Sequence, residues 1–148
     1  MASSTIPDAV AALIALLNAA TWPVARPRID DGIVDLPSVE RIEILDTYAV
    51  GDDTQQWAQL GHRSRDEQYA IEIKIHTPSL TVDSISAARE RAFSLLAVVE
   101  DTVRTNVNLG VTGITSTSIR QPTHRQETPD TGQRWVRINT ALRVNARI

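Results

Sequence analysis

The stretch WVRINTALRVNARI, Trp135 to Ile148, alternates in polarity along its whole length. Val136, Ile138, Thr140, Leu142, Val144, Ala146 and Ile148 share one parity, and Trp135, Arg137, Asn139, Ala141, Arg143, Asn145 and Arg147 the other. A period of two is the mark of a strand with one dry face. Fourteen residues of it is long against the usual strand of about 5–6 residues. The same period recurs earlier, where Tyr69, Ile71, Ile73 and Ile75 alternate with the polar Glu72, Lys74 and His76. Two such strands need a partner layer for their dry faces. ITSTSIRQ before the long stretch and the polar, turn-rich Pro122–Gln133 between them predict a C-terminal β-hairpin. Its length predicts that it projects beyond the core of its own chain.

Two helices supply the cover. From Asp83 to Asn106, Ile85, Ala88, Ala92, Leu95, Leu96, Val99 and Val103 fall on one face at about 100° per residue. Glu90, Ser94 and Asp101 lie opposite, Glu100 and Arg104 have the favourable i,i+4 order, and Asn108 and Gly110 mark the exit. Val98 points away from the stripe and is either a stray surface apolar residue or the centre of a subunit contact. The first helix is expected over residues 7–20, with Ser4 or Thr5 as cap, Pro7 in the first turn and Asp8 on the favourable end of the dipole. Its alanines and leucines leave almost no polar face before Asn18, as in helices buried on more than one side; in a chain this short the second side can belong to another subunit. Three prolines between Thr21 and Pro37 mark a turn-rich connection, VERIEILDTYAV (Val39–Val50) reads as a strand, and GDDTQQWAQLG follows as a loop around Trp57. The expected fold is α+β: one domain over residues 1–148, a mostly antiparallel sheet backed by an N-terminal helix and one long central helix, with a long C-terminal β-hairpin.

A length of 148 residues suits one domain that buries a core unaided. The net charge of −3 lacks the basic excess of a nucleic-acid binder. With no cysteine, disulfides, thiolate metal sites and a cysteine nucleophile are excluded. AVAALIALLNAA (Ala9–Ala20) is far shorter than the roughly 20 residues of a membrane span, and MASSTIPDA ahead of it has no Lys or Arg, so neither a membrane span nor a signal peptide is expected.

Catalytic patterns are missing from the sequence. His62, His76 and His124 share no metal-ligand spacing, and each is expected in a loop or at a strand end, facing solvent. No Gly-x-Ser-x-Gly and no glycine-rich phosphate cradle occurs. Asp30/Asp31, Asp52/Asp53 and Asp66/Glu67 read as solvated loop acids. No enzyme, metal or cofactor is expected. The charged stretch His62, Arg63, Arg65, Asp66 and Glu67 admits three readings: a catalytic cluster, a nucleic-acid contact or a solvated strand entrance. Arg137, Arg143 and Arg147 on one strand face can hold phosphates by forked hydrogen bonds, keep the face soluble, or reach carboxylates of the next subunit.

LGHRSRDEQYAIEIKI, then SAARERAFSLLAVVEDTVR, then a long hairpin ending RVNARI, together resemble the tail terminator (tail completion) proteins of long-tailed, non-contractile phages, especially those of actinobacterial hosts. The resemblance implies a virion protein made in the host cytoplasm that assembles as a hexameric ring. The ring would cap the tail tube, end its polymerisation and offer the head-tail joining surface. Its partners would be further copies of the chain, the tail tube protein, the connector of the head, and genome DNA sliding through the lumen without sequence recognition. No catalytic residues come with the family. The candidate contact residues are Arg63, Arg65, Glu67, Val98, Arg125, Glu127, Asp130, Arg137, Arg143 and Arg147, with Asp52 and Asp53 as lumen neighbours. Another neck or minor tail protein, or a small nucleic-acid-binding module, is the alternative.

Overall fold

The computed structural model describes residues 4–36, 38–50, 57–58, 64–79, 85–127 and 134–147. The elements are α1 (Ile6–Ala19), β1 (Arg28–Asp31), β2 (Arg41–Ala49), β3 (Trp57–Ala58), β4 (Ser64–Pro78), α2 (Ile85–Thr105), β5 (Ile114–Ile119), β6 (Thr123–Glu127) and β7 (Trp135–Arg147). The strands run in the order β1-β2-β4-β7-β5, with β3 beside β4 and β6 beside β7. All pairs are antiparallel except β1 with β2. The α+β expectation and the element order are therefore met.

The two alternating segments of the sequence pair with each other. β4 and β7 form an unbroken ladder from Asp66↔Arg147 to Pro78↔Trp135. The register puts Tyr69, Ile71, Ile73 and Ile75 beside Val144, Leu142, Thr140 and Ile138, all facing the helices. Ile42 and Ile44 of β2 extend this dry surface on one side and Ile114 of β5 on the other. Above it lie Ala88, Ala92, Leu95, Leu96, Val99 and Val103 of α2 and Ala9, Leu13 and Leu17 of α1, in one buried cluster. The predicted stripe of the long helix is thus its buried face.

The hairpin departs from expectation. Its described part does not project: β7 is an interior strand, and its inward residues are buried from Val136 to Ala146, while the tip at 128–133 lies outside the described residues. The presumed polar tip also begins as structure, because Thr123–Glu127 is strand β6, paired with Trp135–Asn139. β5 and β6 together make one interrupted edge along β7, broken at residues 120–122, where the carbonyl oxygen of Arg120 accepts from Thr140 Oγ1 at 2.7 Å. The long alternation therefore reflects a strand flanked on both sides rather than an overhanging arm. A smaller correction concerns Arg104, whose carboxylate neighbour is Asp101 at 3.8 Å, both exposed, instead of Glu100.

Each helix is tied down by a charged group from elsewhere in the chain. Arg91 of α2 makes a forked pair with Glu40, Nε to Oε2 at 3.0 Å and Nη2 to Oε1 at 2.8 Å, and also donates to the Ala25 carbonyl at 2.6 Å. At the start of α1, Glu67 Oε2 accepts from both the Thr5 N–H at 2.9 Å and the Thr5 hydroxyl at 2.8 Å. Since that hydroxyl has only one hydrogen to give, the Tyr69 O–H donates to Thr5 Oγ1 at 3.0 Å. A carboxylate at this end also favours the helix dipole. Thr5, Glu67 and Tyr69 are all buried, so the trio is an internal clasp between helix and sheet.

Burial pushes the Tyr69 phenol above its ordinary 10.0; the Thr5 hydrogen bond opposes this and the Glu67 charge adds to it. A group whose folded pKa is raised contributes stability fully below its unfolded pKa and loses it as pH rises through the folded value. Stability should therefore fall as pH climbs above about 10, and this decline should be shallower in Tyr69→Phe. Denaturant midpoints for both proteins across that range are the check, and parallel curves would contradict the assignment.

Candidate functional site

The even-numbered side chains of β4 and the odd-numbered ones of β7 face away from the helices, and the register collects them into rows across the sheet. One row is Arg28, Arg41, His76, Arg137 and Arg125, a cation or histidine from each of five strands. The next row is Asp30, Glu43, Lys74, Asn139 and Thr123. Residues i and i+2 of a strand share a face, so each residue of the first row sits beside its counterpart in the second.

On the β1–β2 half the two rows neutralise each other. Arg28 Nε contacts both Asp30 oxygens, at 2.7 and 2.9 Å. Arg41 Nε donates to Glu43 Oε1 at 2.6 Å, with side chains only 7% and 2% exposed. The segment after β1 lies over this pair: Arg41 Nη1 donates to the carbonyls of Leu36 and Val39, and the Val34 N–H donates to Glu43 Oε1 at 3.3 Å. The satisfied hydrogen bonds are what make burial of two opposite charges tolerable.

On the β4–β7 half this compensation stops, because Lys74 and Asn139 stand where the carboxylates were. Arg137 lies over the Trp135 ring, 4.3 Å from its centroid, a cation–π arrangement. His76 is buried against the same indole at 5.4 Å, contrary to its expected solvent position. Arg137 Nε and Asn139 Oδ1 are buried without a hydrogen-bond partner. Further along β7, Arg147 pairs with Asp66 at 3.2 Å, whereas Arg143, opposite Ala70, is exposed. Glu72, half buried, is among the described residues the acid of this face outside an ion pair. The arrangement suits recognition of carboxylates or phosphates. Among the described residues no three of His, Cys, Asp and Glu gather as metal ligands.

A second feature lies on the helix layer. The C-terminal half of α2 and the end of α1 flank a groove of about 600 Å³ lined by Leu16, Ala19, Ala20, Ala97, Val98 and Thr102, among others. Val98 is half buried there. Phe93, one turn before Ala97, is 42% exposed and touches the His124 ring at 5.8 Å.

The other sequence candidates scatter. Arg125 and Arg137 are register partners, and Arg143 and Arg147 continue the same face. Glu67 is engaged in the α1 clasp. Arg65 and Glu127 lie in strands β4 and β6, with side chains outside the described set. Arg63, Asp130, Asp52 and Asp53 fall outside the described residues altogether. The sequence reading missed Arg41, Glu43, Lys74 and Asn139, although the polar parity of β4 and β7 already named their face; only the register joins them.

No protein-family model matches the chain, and no curated protein does. Among solved structures it is similar to a chain in the virion of a native gene transfer agent particle, at 16% identity and a TM-score of 0.47, covering 90% of this chain and 84% of that one.

The two ion pairs of the β1–β2 half give a contrast. Glu43→Ala strands a buried guanidinium and should cost about 3–5 kcal/mol, whereas Asp30→Ala, with Arg28 half exposed, should cost about 1 kcal/mol or less. Chemical denaturation of both variants checks the ordering.

Proposed function

We propose that the chain is a non-enzymatic structural protein of a phage-type virion, a ring-forming subunit that caps the tail tube, ends its polymerisation and presents the head-tail joining surface. The observation that carries the reading is the groove between α1 and α2. The chain buries a core of its own and still leaves Leu16, Ala19, Ala20, Ala97 and Val98 along an open furrow that Ser94, Asp101, Thr102, Thr105 and Asn106 also line. An open furrow of mixed apolar and polar residues suits a protein contact. Its occupant in this reading is a second copy of the chain, which would also cover Ala19, an exposed alanine at the end of α1 where a solvent-facing helix commonly has a charge. The resemblance of three sequence segments to tail terminators supplies the particular role, and the hexamer, the tube and the connector belong to that part of the proposal.

The test is light scattering coupled to chromatography, with negative-stain imaging after mixing with purified tail tubes. Rings at tube ends are expected. Val98→Asp should keep the thermal midpoint within a few degrees, as half-exposed sites do, and lose ring formation. A wild-type chain that stays monomeric and never decorates tubes would overturn the proposal.

A further inference from the structure

We propose that neighbouring copies join head to tail through charge, the β4–β7 half of the helix-free sheet face of one copy receiving the acidic β1–β2 edge of the next. The inference rests on the ring reading and deepens it by naming the second surface. Its basis is a mismatch within the chain. Lys74, Arg137 and Arg143 share the helix-free face without a carboxylate partner, and Glu72 is the opposing charge among them. At the other side of the sheet Asp31 ends the edge strand, beside Ile44. Asp46 follows on β2, and Asp35 lies in the segment that crosses the buried Arg41–Glu43 pair. These three acids are exposed and none is in a salt bridge. Three unpaired cations thus lie on the central strands β4 and β7, and three unpaired anions on β1, β2 and the segment between them at one edge of the sheet.

Each end repels its own kind, so a two-fold contact that placed like on like is disfavoured. Acidic edge on basic face is a heterologous contact, and heterologous contacts generate a ring where the rotation between copies closes. The occupant is a second copy of the chain, because the chain's own Asp31, Asp35 and Asp46 are exposed, unpaired and of the complementary charge. In this division the α1–α2 groove provides affinity, and the charges provide orientation and encounter rate.

The experiment uses the full chain in three forms, assayed for rings on tubes and by light scattering: Lys74→Gln/Arg143→Glu, Asp31→Lys/Asp46→Lys, and all four changes together. Unchanged thermal midpoints confirm folding. Each double variant should lower ring yield about tenfold or more, since like charges across a contact cost several kcal/mol, and the quadruple variant should recover most of it. Rings formed by both double variants at the wild-type level would overturn the charge contact while leaving the ring reading standing. Loss without recovery in the quadruple variant would overturn the pairing of these two surfaces. Failure of the wild type itself to form rings would remove the ring reading and this inference with it. Salt-sensitive binding of a duplex DNA probe, abolished by Lys74→Gln/Arg143→Glu while ring yield is unaffected, would reassign the face to nucleic acid.

Discussion

The ladder between β4 and β7 is the constraint on which everything else hangs. Over Asp66–Pro78 against Arg147–Trp135 it has no bulge, so each strand's alternation is held in phase with the other. Side-chain parity in a sheet is all or nothing: a slip of one residue would turn Ile71, Ile73 and Ile75 to solvent and Lys74 and His76 into the helices. The dry parity on both strands therefore specifies the pairing, and the pairing specifies where the helices must lie. The neighbouring strands are less regular. Both β2 and β5 shift register once along their partners, between Ile44 and Thr47 and between Ile114 and Ser116, which lets the sheet edges bend while its centre stays in step.

The same ladder decides which charges meet. Arg41 finds Glu43 two residues along its own strand, and Arg28 finds Asp30 in the same way. In the centre of the sheet the corresponding positions are Lys74 beside His76 and Asn139 beside Arg137, so the face passes from neutral to cationic as it crosses from β2 to β4. On the opposite side the helices bury one stripe each and meet over a groove instead of closing it. Both features lie on a chain whose core is already complete, and both are surfaces suited to a partner.

Much of this was legible in the sequence because period two and period 3.6 are local. The α2 stripe from Ala88 to Val103 and the parity of β7 needed only counting. What escaped was relational. Residues 123–127 carry polar and charged side chains and read as a turn, yet they pair with the first half of β7, whose inward Val136 and Ile138 do the burying for both strands. His76 looks like a solvated strand residue until Trp135, fifty-nine positions away in sequence, is placed beside it. Glu67 looked like part of a charged rim because its neighbours Arg65 and Asp66 are charged; its parity is that of Tyr69, and that parity sends it inward to Thr5. Propensity ranks residues one at a time, whereas these contacts exist only once a register is chosen.

The account's central claim is that the α1–α2 groove and the cationic half of the sheet face are covered when the chain assembles. Hydroxyl-radical footprinting of the free chain and of the chain bound at tube ends measures this most directly. Protection on assembly is expected at Leu16 and Val98 in the groove and at Arg143 on the sheet face, with Ile71 and Leu95 silent in both states because the chain's own core already shields them. Equal labelling of Leu16, Val98 and Arg143 in the free and tube-bound forms would contradict it.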